Sequence, residues 1–191
     1  MRIAVSGTHG VGKSTLIAAF LARRPEYASE PEAFELLGDD IMLLPSEGPD
    51  AQGLAALLEH TLRVLQNETR ERVIIERSPV DYFAYARATE GLAPSEREEL
   101  ITLFGAAARD VLRRLDLIVL LPITSFGAES GRAAHDDGER FRERVDEALH
   151  QVLLDDADSL FAGIDTPRVL GLPPDPAHQL DELIRHTEPS G

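Results

Sequence analysis

The chain has no cysteine, no tryptophan, two methionines and one lysine against eighteen arginines. Without cysteine there is neither a disulfide framework nor a thiolate metal site, and a cytoplasmic address is the expectation. No apolar run approaches the ~18 residues of a membrane-crossing helix. Met1-Arg2 leads straight into a strand pattern, so no signal peptide is expected. Basic residues are scarce, 19 against 34 acidic ones, for a formal charge of −15. Such a field repels polyanions and argues against a broad nucleic-acid surface, so a small anion must be met by focused positive charge. The 191 residues, 43% of them hydrophobic, suit a single domain spanning 1–191 with a sizeable core.

The lone lysine is the most informative letter. Lys13 stands in Gly7-Thr8-His9-Gly10-Val11-Gly12-Lys13-Ser14, the pattern G-x-x-x-x-G-K-S. An ε-ammonium is a compact charge that enters a tight backbone loop and reaches β- and γ-phosphates, where a broad guanidinium does not fit. The context is right, because Arg2–Ser6 reads as a strand and Ser14–Arg24 as an amphipathic helix. Gly7, Gly10 and Gly12 let successive amides turn inward at the positive end of that helix. The expected nucleotide contacts are Gly7, His9, Gly10, Val11, Gly12, Lys13, Ser14 and Thr15, with the Ser14 hydroxyl on Mg²⁺. His9 is expected to be exposed and not to act as a base. The expected ligand is ATP with Mg²⁺, GTP remaining open as the donor.

Further along, apolar strands alternate with helices. Strands are expected at 26–29, 72–76, 116–121 and 168–172, and helices at 50–70, 80–89, 95–115, 139–154 and 177–186. Ser95 with Glu98 has the form of a capping box. Residues 38–49 read as a loop, and 123–138 as a mobile one. Continuous apolar strands imply a parallel sheet covered on both faces, with ligands at its carboxyl edge. At that edge fall the phosphate loop, Glu30, Glu76-Arg77-Ser78, the segment after Pro122 and Pro173-Pro174-Asp175-Pro176, the last a candidate base-facing loop.

On these motifs the chain resembles the P-loop NTPase superfamily, and within it the nucleoside and nucleotide kinases. Glu76-Arg77-Ser78 is similar to the acidic-Arg-Ser motif of deoxyribonucleoside kinases, and Glu30-Pro31 to their catalytic Glu-Pro. Asp137-Gly138-Glu139-Arg140 and Arg77-Ser78-Pro79-Val80-Asp81 resemble small bacterial ATPase/kinase domains related to ribosylnicotinamide kinase. The resemblance implies a three-layer α/β/α fold, a five-stranded parallel sheet of order 2-3-1-4-5 and a mobile lid around 123–144. It also implies phosphoryl transfer to a nucleoside, a nucleotide or another small hydroxylated acceptor.

The resemblance distributes roles residue by residue. Lys13, Glu30, Arg77 and Arg140 are the catalytic candidates, and Ser14 and Glu76 the metal candidates. Glu30 would orient the acceptor hydroxyl and take its proton, the competing reading being an exposed acidic turn with Glu26, Glu32 and Glu35. Glu76 serves either the Mg²⁺ water shell or the acceptor, unless it is only an ion-pair partner of Arg77. Arg77 contacts a substrate or transferred phosphate. Asp81 caps a helix or binds the acceptor, and Tyr82, with Phe83 and Tyr85, lines a ring pocket or simply fills the core. Arg132, Arg140, Arg142 and Arg144 supply lid cations or a solvated helix face. Arg140 is preferred; Arg140 and Arg144 share a face while Arg142 points elsewhere.

Other classes lack their letters. A guanine-reading Asn-Lys-x-Asp motif needs a second lysine. A mechanical AAA+ or transporter ATPase calls for an apolar strand ending in Asp-Glu, or for Ser-Gly-Gly-Gln, and neither is present. A nucleotide-binding regulator without kinase activity stays as the alternative, and helix 95–115 serves as a homodimer face or as a cover for the sheet.

Overall fold

Five strands pair into one parallel sheet of order β2-β3-β1-β4-β5. A computed structural model describes residues 1–30, 48–123 and 136–188. The strands are β1 Arg2–Ser6, β2 Ala28–Glu30, β3 Val73–Glu76, β4 Leu117–Leu120 and β5 Arg168–Gly171. The described helices are α1 Lys13–Arg23, α2 Ala51–Asn67, α3 Pro79–Ala88, α4 Pro94–Leu112, α5 Asp136–Leu154 and α6 Pro176–Thr187. Order and strand direction match the expectation, because each strand is followed by a segment too long for a hairpin and returns through a crossover.

Successive side chains of a strand point to opposite faces, and the core divides accordingly. Ala4, Val73, Ile75, Ile118 and Leu120 face one layer with α2 to α5. Ile3, Val5, Ile74, Leu117 and Val119 face the other, with Leu16, Ile17 and Phe20 of α1 and Leu183 of α6. The central strands are apolar throughout because both faces are covered. The helical stripes behave likewise: Leu54, Leu58, Leu62 and Leu65 of α2 are buried, as are Phe141, Val145, Leu149 and Val152 of α5. Helix α4 sends Leu100, Ala108, Val111 and Leu112 into the core, leaving Leu103 exposed.

Two expectations about helix starts are corrected. Helix α4 opens at Pro94, which needs no amide donor at the first helical position. Its reciprocating carboxylate is Glu96, accepting the Ala93 amide at 2.7 Å, so Ser95 and Glu98 form no capping box. Helix α5 begins at Asp136 rather than at residue 139. The loop expected at 38–49 and the lid expected at 123–144 fall mostly outside the described residues.

Register brings the chemistry to one edge. Val5 is opposite Glu76, Ser6 opposite Leu120, and Glu30 opposite Ile75. The loop leaving β1 therefore emerges beside the end of β3.

Candidate active site

Glycine geometry builds the loop between β1 and α1. Gly10 and Gly12 have φ of +69° and +101°, and a Cβ on either would meet nothing within 4 Å, so each is required for its angle. Gly7, at φ +153°, is required for space as well as angle, since a Cβ there would lie 3.0 Å from the Leu121 carbonyl oxygen and 3.0 Å from Cγ1 of Val11. Gly12 caps α1, and its carbonyl accepts the Leu16 amide at 2.9 Å. Ser14 and Thr15 are exposed on the first turn of that helix.

Lys13 curls back over this loop. Its Nζ donates to the Thr8 carbonyl at 3.0 Å and stands 3.6 Å from Oε1 of Glu76, the last residue of β3. Both side chains are almost out of solvent. Ser14 and Glu76 are hard oxygen donors of the type that suits Mg²⁺ beside phosphate and water. Among the described residues no cluster of three His, Asp or Glu side chains forms a separate metal site.

A second ionic group lies under the loop. Arg77 has φ +69°, a left-handed angle rare outside glycine, fixed by its amide donating to the Val5 carbonyl at 3.0 Å. The guanidinium is buried; Nη1 donates to the Gly7 carbonyl at 3.2 Å, and the group lies 5.1 Å from the Tyr85 ring centroid. Asp81, fully buried, accepts from the Ser6 hydroxyl at 2.7 Å, the Gly7 amide at 3.2 Å and the Ser78 amide at 2.9 Å. Of its two expected uses, capping is realised through Ser78. Tyr82, Phe83 and Tyr85 are buried in the core.

Glu30 has a partner outside this group. It ends β2, and its carboxylate pairs with Arg70, in the turn before β3. Arg70 also donates from Nε to Glu68 at 2.9 Å. That hydrogen bond holds the Glu68 carboxyl below its ordinary value of 4.5, and the same two carboxylates push the Arg70 guanidinium up. Pro31 and the other members of the acidic turn beyond it lie outside the described residues.

The arginines of α5 separate by partner. Arg140 is exposed. Arg144 is tied down, donating to the Ala88 carbonyl at 3.1 Å and pairing with Glu90 at 3.0 Å. Arg142, which helical spacing turned away from the preferred pair, lines a cavity of about 510 Å³. Gly10, Gly12, Thr15 and, at the start of α6, Pro176, Ala177, Gln179 and Leu180 line it as well. The Arg142 Nε is buried without a hydrogen-bond partner among the described residues. Its signal in the sequence was its place directly beside Phe141, at the border of the buried stripe. Arg132 lies outside the described residues.

His9 is corrected from exposed to half-buried: its ring stacks on Phe141, centroids 6.4 Å apart, and Phe141 also meets Tyr85 edge-on. No spacing rule links a loop histidine to a helix more than a hundred residues later. Gln179 is a second residue that sequence reasoning missed; it is nearly buried in the same cavity, and its amide donates to the Pro173 carbonyl at 3.0 Å.

No curated protein is similar enough in sequence to match the chain. Solved structures match its fold. Deoxyadenosine kinase from M. mycoides with bound dATP is 16% identical at a TM-score of 0.65, with 97% of this chain and 98% of that one covered. NadR protein in complex with NR is 20% identical at 0.69; 99% of this chain aligns with only 52% of that one. Thymidylate kinase from Candida albicans is 12% identical at 0.63, covering 97% and 89%. The fold is thus that of P-loop nucleotide kinases. The matching family model carries the description AAA domain, although β3 ends in Ile75-Glu76 rather than the Asp-Glu expected of mechanical AAA+ motors. It matches residues 2–160, and the chain belongs to this family of AAA domains.

Proposed function

We propose that the protein transfers the γ-phosphoryl group of ATP, with GTP as the alternative donor, to a small hydroxylated acceptor of the nucleoside or nucleotide class. The carrying observation is the buried Lys13 ammonium, held between the Thr8 carbonyl and Glu76 at the mouth of a glycine-shaped loop. A triphosphate offers that ammonium a stronger anionic partner, at the positive end of α1. Support for a kinase comes from the fold shared with deoxyadenosine, thymidylate and NadR-type structures.

In this reading the acceptor oxygen attacks the γ-phosphorus, the bond from that phosphorus to the β–γ bridging oxygen breaks, and the nucleoside diphosphate leaves. Ser14 and Glu76 would hold Mg²⁺, which would supply charge neutralisation at the phosphate oxygens. Lys13 stabilises the same charge from the loop, and Arg140 and Arg142 approach from α5. Adenine would occupy the cavity between Gly10–Gly12 and the start of α6. The hydroxyl proton passes to a carboxylate, Glu30 or Glu76.

One observation favours the regulatory alternative. The Glu30 carboxylate is engaged by Arg70, so catalysis through Glu30 requires that pair to open. Incubating the protein with Mg²⁺ and γ-labelled ATP over a panel of nucleosides, nucleotides and sugars tests the proposal. Label in one acceptor class, reduced by Glu30→Gln, is expected. Binding or slow hydrolysis alone, unaltered by Glu30→Gln, contradicts it.

A further inference from the structure

Asp81 makes more bonds than a helix cap needs. One contact, from the Ser78 amide to Oδ2 at 2.9 Å, is enough to close the start of α3. Besides a 3.4 Å bond from the Ser78 hydroxyl, Asp81 accepts from residues 75 and 74 positions earlier, the Ser6 hydroxyl at 2.7 Å and the Gly7 amide at 3.2 Å. Arg77 completes the group, with Nη1 3.6 Å from Oδ1 of Asp81 and 3.2 Å from the Gly7 carbonyl oxygen. Both polar backbone groups of Gly7, the first residue of the loop, are therefore occupied by the junction of β3 and α3. Neither faces a phosphate.

We infer that Asp81, with Arg77, is a positioning residue for the phosphate loop; the inference rests on the phosphoryl-transfer reading above. A loop with three glycines has wide conformational freedom, whereas an anion nest works only if its amides already converge. Anchoring the Gly7 amide and carbonyl fixes where the chain leaves β1, so the phosphate-facing amides begin after Gly7. A buried carboxylate–guanidinium pair is a weak source of stability, because desolvation offsets most of its attraction. Here it sets a register. The pair also ties the loop to α3, so a shift of that helix moves the first turn of the loop.

Asp81→Asn keeps the size but replaces one acceptor oxygen with an amide donor, leaving a buried donor among Ser6, Gly7 and Ser78 without a partner. The test is calorimetric titration of both proteins with Mg·ATP at a temperature where each is fully folded by circular dichroism. The inference predicts a rise in Kd of about fivefold or more, the consequence of one buried donor left unsatisfied at the loop. A purely structural carboxylate lowers the thermal midpoint while the folded protein binds Mg·ATP as before, and that result overturns the inference alone. If the unsubstituted chain binds neither Mg·ATP nor Mg·GTP, the phosphoryl-transfer reading falls and the inference with it. Should Asp81→Asn not fold, Ser6→Ala takes its place: it removes one bond to the same carboxylate and leaves the charge. A rise in Kd of about threefold is then expected, and an unchanged Kd overturns the inference.

Discussion

The Nζ of Lys13 lies 3.6 Å from Oε1 of Glu76, bridging the loop after β1 to the end of β3 with little solvent between. That relationship places a buried ammonium and a carboxylate at one mouth. Lys13→Ala should lower phosphoryl transfer by at least about a hundredfold, the usual scale for losing a preorganised charge. Lys13→Arg should not rescue it, since a planar guanidinium does not fit between Thr8 and Glu76. Initial rates on the labelled acceptor check both, with thermal midpoints showing that the variants are folded.

Gly7 combines a positive φ with close packing, whereas Gly10 has the angle alone. Gly7→Ala drives a Cβ to 3.0 Å from a backbone oxygen and from Val11, and overpacking of this kind costs about 1–3 kcal/mol. Gly10→Ala meets no atom but must hold φ +69°, worth about 1–2 kcal/mol. Urea denaturation should show Gly7→Ala to be at least as destabilising, and the Gly10→Ala loss should shrink with a residue such as Asn that tolerates the angle.

Much of this architecture was readable because it depends on local period. Ile3-Ala4-Val5 and Leu117–Leu120 are apolar on both faces, which identifies central strands, and the four-residue spacing in α2 and α5 marks their buried sides. The loop was readable because its function demands glycine angles and one compact cation at fixed offsets. What spacing could not give was contact across the fold. Asp81 reaches back to Ser6, and Glu30 pairs with Arg70 forty residues further along the chain. Helix starts slipped for a chemical reason: Pro94 needs no amide partner, so α4 begins there and Glu96 becomes the cap carboxylate.

Arg142 and Arg144 should behave differently although they share a helix. Arg142→Ala should weaken Mg·ATP binding by about tenfold, the scale of one charge-assisted hydrogen bond, and leave the thermal midpoint nearly unchanged. Arg144→Ala removes the bond to Ala88, the Glu90 pair and the contact over Phe141. It should lower stability by about 1 kcal/mol with a smaller effect on binding. Paired calorimetry and urea titration distinguish the two.

Glu68 gives the acid-side stability a specific component. Its folded carboxyl titrates below the ordinary 4.5 because Arg70 donates hydrogen bonds to the charged form. The contribution is fully present above 4.5 and is lost as pH falls through the lower folded value. Urea midpoints followed from about pH 6 to about pH 3 should fall less steeply in Glu68→Gln than in the unsubstituted protein.

The most direct measurement is the binding of Mg·ATP and Mg·GTP to the unsubstituted protein and to Lys13→Ala, by calorimetry under conditions where both are folded. Saturable binding of a nucleoside triphosphate by the former, lost or weakened at least about a hundredfold in the latter, is the predicted result. Equal binding by the two proteins, or none by the unsubstituted chain, would contradict the account.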